Sequence, residues 1–161
     1  MNSNATLIPY ARDLTQEPPR NPDERLGGFV VLARSIDKGR ASLNGTNGEY
    51  RFNCPLDHML FDFKGVKGAD IEKVLGSGAS DGEVLQWLTL HGVSKTPEEI
   101  KAWSDRMENF SFYFVPEKKA WFVSECERLE LDPANTTLFD YLAVDDRKTL
   151  GLPVPIQDRH P

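Results

Sequence analysis

Apolar residues recur every three or four positions along most of this chain, a spacing that places them on one face of a helix. In the first such stretch Leu26, Phe29, Val30, Ala33 and Ile36 form the stripe. A start signal precedes it: Asn21 as N-cap, Pro22 at the first helical position, and Asp23 and Glu24 at the positive end of the dipole. Asn44-Gly45 is the stop, so one long helix is predicted over 21–44. Residues Gly45 to Asn53 read as a turn-rich connection with a short extended piece at Glu49–Phe52. Leu56, Met59, Leu60 and Phe63 predict a second helix from Pro55, ended by Gly65. A short third helix is predicted from Asp70 to Leu75, closed by Gly76-Ser77-Gly78. The fourth opens with the capping box Ser80-Asp81-Gly82-Glu83, buries Val84, Trp87 and Leu88, and ends at His91-Gly92.

Thr96-Pro97-Glu98-Glu99 opens a fifth helix, on which Ile100, Trp103, Met107, Phe110 and Phe114 keep one face for about four turns. The alternation Phe110, Phe112, Phe114 would suit a strand, but the helical stripe is longer and decides the reading. Pro116 forces Val115 out of helical geometry and starts the next helix, which carries Phe122, Cys126 and Leu129 and stops before Pro133. Thr136 or Thr137 caps a last helix with Leu138, Phe139 and Leu142. Residues 1–20, with Pro9, Pro18 and Pro19, show no period and read as an extended arm. The tail 151–161 carries Pro153, Pro155 and Pro161. The expected fold is all-α: an irregular bundle of five to seven helices in a single domain over 21–150, flanked by the two arms.

Composition supports a packed core. Of 161 residues, 39% are hydrophobic and 10% aromatic, enough to fold without disulfides or metal. The net charge of -6 and the lack of any long Lys/Arg run argue against nucleic acid, whose phosphates call for a basic patch. No apolar run approaches the ~20 residues of a membrane span. Two cysteines, Cys54 and Cys126, and no basic-then-apolar leader point to the cytoplasm.

The predicted first helix departs from an ordinary surface helix. Opposite its apolar stripe lie Gly28, Val31, Ser35, Gly39 and Ser42, small or apolar where charges would be expected, so a second covering layer is implied. Asp37 and Arg40 fall on the apolar arc, one turn apart, and Arg34 stands beside Asp37 at the same spacing. Buried charges must be paired, so these residues form either a structural ion network or the wall of a polar pocket.

The run Leu26 to Ala41 (LGGFVVLARSIDKGRA), with Gly48-Glu49-Tyr50, Asn53-Cys54-Pro55-Leu56-Asp57 and Thr137-Leu138-Phe139-Asp140, resembles a bacterial family catalogued as domain of unknown function 5069. The resemblance implies a helical fold and a bacterial host. It brings no activity, substrate or catalytic residue with it.

Other constellations are thin. Cys54 precedes Pro55 at a helix N-terminus, where thiols become reactive, but a small buried cap residue is the better reading, because free cysteine usually behaves as a hydrophobe. His58 and Asp62 offer two metal ligands where three or four are needed, and His91 and His160 do not complete the set, so no metal or cofactor is expected. No glycine-rich segment has the form of a phosphate loop. Two readings of function stand. One is a non-catalytic binding or assembly module, with self-association as its partner. The other is a small-molecule site, enzymatic or not, where the first helix meets the 48–57 segment. Its candidate residues are Arg34, Asp37, Lys38, Arg40, Glu49, Tyr50, Cys54 and Asp57.

Overall fold

The computed structural model describes residues 7–154. The first six residues of the expected arm, and Pro155, His160 and Pro161 of the expected tail, lie outside the described residues. Within them the protein is all-α, with helices α1 (Leu32–Asn44), α2 (Pro55–Lys64), α3 (Gly68–Gly76), α4 (Asp81–Leu90), α5 (Pro97–Glu108), α6 (Pro116–Arg128) and α7 (Leu138–Thr149). The chain divides into two compact units, one through Met107 and one from Glu108 onward.

In the first unit α1 packs against α2 and α3, and α3 against α2 and α4. Gly39 permits the close approach of α1 to α3, since a Cβ there would stand 2.4 Å from Leu75 Cδ1 and 3.2 Å from Phe52 Cδ2. Every residue from Leu32 to Ala41 is buried, so the helix is covered all round. The arm supplies part of that cover. Leu14 is buried and its N–H donates to Thr46 O at 2.8 Å, while Ile8 N donates to Asn44 Oδ1 at 2.7 Å.

The predicted start of the first helix is wrong by ten residues: α1 begins at Leu32, not at Pro22. Gly27 (φ 59°), Gly28 (φ 86°) and Val31 (φ 73°) occupy the left-handed region, which a right-handed helix cannot pass through. Leu26 and Phe29 instead exchange both backbone hydrogen bonds at 3.0 Å in a tight turn, and Val31 N donates to Pro22 O at 2.8 Å. Ser104 of α5 pins this turn. Its hydroxyl donates to Gly28 O at 2.7 Å and accepts from Val30 N at 3.2 Å.

In the second unit a 3₁₀ turn, Phe112–Phe114, leads into α6, and a second, Pro133–Asn135, leads into α7. The expected continuation of α5 to Phe114 does not form, and neither does a strand. The helix stops at Glu108, and Ser111 Oγ accepts from Tyr113 N at 3.2 Å while donating to Thr136 O at 2.8 Å, which fixes the turn. Phe110, Phe112, Phe122 and Tyr141 meet edge to face around the buried Cys126 side of α6. The Tyr141 hydroxyl donates to Glu125 at 2.7 Å; burial first, and this carboxylate second, push that phenol above its usual range.

Candidate functional site

A charged side chain removed from water needs a partner of opposite sign or several hydrogen bonds. Four such groups on α1, Arg34, Asp37, Lys38 and Arg40, are at most 4% exposed. Because α1 is covered all round, they point in different directions and find different partners.

Asp37 turns toward the arm. Its carboxylate accepts from Arg20 N at 2.8 Å, Arg20 Nε at 3.0 Å and Arg20 Nη2 at 3.0 Å, and Arg12 Nε stands 3.7 Å away. Arg20 also donates to Asp81 Oδ2 at 2.7 Å, and Arg40 Nη1 pairs with Asp81 Oδ1 at 2.9 Å. Arg40 Nη2 reaches Ala79 O at 3.0 Å, and Tyr10 covers the guanidinium with its ring centroid 5.4 Å off. Arg40 Nε is buried with no hydrogen-bond partner among the described residues. The partners of Asp37 and Arg40 thus come from the arm and from α4 rather than from each other.

These groups surround a cleft of about 400 Å³, lined by Tyr10, Arg12, Arg20, Asp37, Arg40, Ser80, Asp81 and Gly82. The last three are the first residues of α4, where Ser80 and Glu83 close a capping box. The N–H groups of Asp81 and Gly82 belong to the set that a helix start leaves without an internal acceptor. The Arg20 hydrogen bond, above all, holds the Asp81 carboxyl below its usual range, with Arg40 adding to it against the effect of burial. Burial alone would lower Arg20, but its bonds to Asp81 and Asp37 outweigh that and raise it. Both ends of the network are therefore ionised at neutral pH.

Lys38 faces the opposite way. Its ammonium lies 3.0 Å from Asp57 Oδ1 and donates to Cys54 Sγ at 3.1 Å. Asp57 is fully buried and also accepts from Ser35 Oγ, from Asn53 N at 2.8 Å and from Cys54 N at 3.3 Å. The start of α2, set by Cys54-Pro55, thereby presents a sulfur and a carboxylate to one α1 lysine. Arg34 lies over the Tyr50 ring at 5.6 Å from its centroid. Glu49 is exposed.

The expected single pocket between α1 and the 48–57 segment is thus resolved into separate settings. Lys38, Cys54 and Asp57 come together, Arg34 meets Tyr50, and Asp37 and Arg40 face a cleft elsewhere. Sequence reasoning missed Arg12, Arg20 and Asp81 as members of that cleft, and Ser35 as a partner of Asp57. Asp81 was in view only as part of a capping box, and no local spacing ties Arg20 to α1. His91 sits at the end of α4, with Nδ1 2.8 Å from Trp87 O in its last turn. His58 rests against the Phe61 ring, centroids 6.0 Å apart. Among the described residues no group of three or more His, Cys, Asp or Glu is placed to hold a metal ion, and no helix is long and apolar enough to cross a membrane.

The sequence pattern that defines the family described as Domain of unknown function (DUF5069) matches residues 16–148. The chain belongs to the DUF5069 family. No curated protein matches it. The DUF5069 match takes in Arg20, all of α1, the Cys54–Asp57 turn and Asp81, while Tyr10 and Arg12 of the cleft precede it.

Proposed function

We propose that this protein is a non-catalytic binding module whose ligand is a small anion, a carboxylate or phosphate group, seated in the cleft between the arm, α1 and the start of α4. The observation that carries this reading is the convergence of three guanidiniums on one cleft. Three guanidiniums face Asp37 and Asp81 beside the positive end of a helix, and the carboxylate that balances the third, Glu17, pairs with Arg12 at 3.4 Å from outside the cleft lining. Arg40 Nε adds a buried donor without a partner. A volume of about 400 Å³ suits a small molecule. The net charge of -6 disfavours long polyanions, so a compact anion fits better than nucleic acid.

Titration with inorganic phosphate and with di- and tricarboxylates, followed by calorimetry and thermal unfolding, tests this. A ligand at a hundred times its Kd stabilises by about 2.7 kcal/mol, a shift of several degrees in a domain of this size. Arg12→Ala removes the most exposed guanidinium of the cleft and should abolish that shift while leaving the unliganded melting point nearly unchanged. The reading fails when none of these anions shifts the wild type at millimolar concentration.

A second reading, self-association, rests on α6. Pro116, Ala120 and Val123 line a shallow groove flanked by Lys119 and Glu127. Those two charges are about two helical turns apart, so antiparallel pairing of two copies sets each lysine against the partner's glutamate. Sedimentation should show a dimer that Ala120→Arg dissociates; a wild-type monomer at high concentration ends this reading. We place the protein in a bacterial cytoplasm, a setting supported by its two unbridged cysteines and by the family resemblance.

A further inference from the structure

The Lys38–Cys54 contact lies outside the cleft and is not used by the binding reading. Three observations bear on it. Cys54 is only half-buried, whereas Cys126 is sealed at 0% exposure. The sulfur sits at the N-cap of α2, where backbone N–H groups converge. Lys38, 3% exposed as a residue, pairs with Asp57 Oδ1 at 3.0 Å and donates to the sulfur at 3.1 Å. A cysteine attacks oxidants as its thiolate, and a neighbouring ammonium is a proton donor within reach of the departing hydroxide.

We infer that Cys54 and Lys38 form an oxidant-responsive pair, in which peroxide converts the thiolate to a sulfenic acid and the lysine amine then captures the sulfur as a sulfenamide. In the first step sulfur attacks one peroxide oxygen, the O–O bond breaks, and sulfur is oxidised while peroxide is reduced. The departing hydroxide takes a proton from the Lys38 ammonium and leaves as water. In the second step the amine nitrogen attacks sulfur, the S–O bond breaks, and the hydroxyl leaves with an amine proton as a second water. Thiolate, ammonium and one peroxide thus give one S–N bond and two waters.

Asp57 tolerates the change because three donors remain on it when the ammonium is gone: Ser35 Oγ, Asn53 N and Cys54 N. The same half-burial that admits peroxide keeps bulky thiols away, so capture by a residue already in contact outruns capture by glutathione or a second chain. Among the described residues the Lys38 amine and the Asp57 backbone N–H both approach the sulfur, and the amine is the stronger nucleophile.

The experiment treats the full chain with dilute hydrogen peroxide and follows intact mass and peptide maps. The expected product is lighter by two hydrogens, gives a cross-linked peptide joining Cys54 to Lys38, and reverts on treatment with dithiothreitol. Lys38→Arg keeps the positive charge but should stop at a dimedone-reactive sulfenic acid and pass on to the sulfinic acid. Should that variant not fold, the wild-type peptide map decides alone. Sulfinic acid at Cys54 without any cross-link, a disulfide between two copies, or a Cys54 no more reactive than Cys126 overturns the inference.

Discussion

Two glycines with the same backbone twist separate conformational strain from lack of space. Gly45 (φ 72°) and Gly92 (φ 71°) both sit in the left-handed region, but a Cβ on Gly45 would meet nothing within 4 Å. One on Gly92 would stand 2.1 Å from the backbone oxygen of Lys64. Gly45→Ala should therefore cost about 1 kcal/mol, the left-handed penalty alone. Gly92→Ala should cost about 3 kcal/mol more, because a carbonyl in the last turn of α2 cannot move aside. Urea unfolding of the two variants measures the difference, and equal losses would refute the close approach. The loop at Gly92 is tied down further by Lys64, whose ammonium donates to His91 O at 2.6 Å and Val93 O at 2.7 Å. Burial, and then Lys95, lower that ammonium's proton affinity, so it depends on those two carbonyls. Val31 shows the opposite economy: a fully buried β-branched residue held at φ 73°, a conformation costing roughly 1–3 kcal/mol that the surrounding packing must over-determine.

Where a helix begins depends on a few atoms, and these are readable when they are local. The capping box at Ser80 forms as its sequence suggests, and of Thr136 and Thr137 it is Thr137 that caps α7, the two hydroxyls accepting from the third residue of their helices at 3.2 and 3.1 Å. Thr137→Ala should cost about 1 kcal/mol and fray α7 without touching the first unit. Hydrogen exchange that slackens in α7 alone checks this. The Pro55, Pro97 and Pro116 starts were equally visible, since a proline at the first helical position loses no hydrogen bond. Asn21-Pro22 carries the same signal and misleads. Its Pro22 carbonyl is used by Val31 N to close a turn, and nothing in the local sequence separates that use from helix initiation. The Phe110–Phe114 stripe misleads for a related reason: its spacing fits a helix, while Ser111 bonds to Thr136, far along the chain, and prevents one.

The all-α architecture follows from periodicity, because apolar spacing reports burial wherever a helix has one wet side. The cleft was less accessible to such reading, because its members come from the arm, α1 and α4, and Arg20 and Asp81 are 61 residues apart. That pairing does make a prediction about acid. Asp81 has a folded-state pKa below its unfolded value near 4. Its contribution is then fully present above about pH 4 and is lost as pH falls through the lower folded value. Stability measured by urea midpoint should hold from neutrality to about pH 5 and decline below about pH 4. Asp81→Asn should start lower and decline less steeply; an unchanged slope would mean that Arg20 and Arg40 do not sense Asp81 in solution.

A helix wrapped on every side leaves no direction in which sequence drift is harmless. From Leu32 to Ala41 each position touches some other part of the fold, by grease, by charge or by lack of a side chain. Saturation mutagenesis should therefore find ten adjoining intolerant positions there, without the three-to-four-residue rhythm that helices on an outer surface leave in such maps.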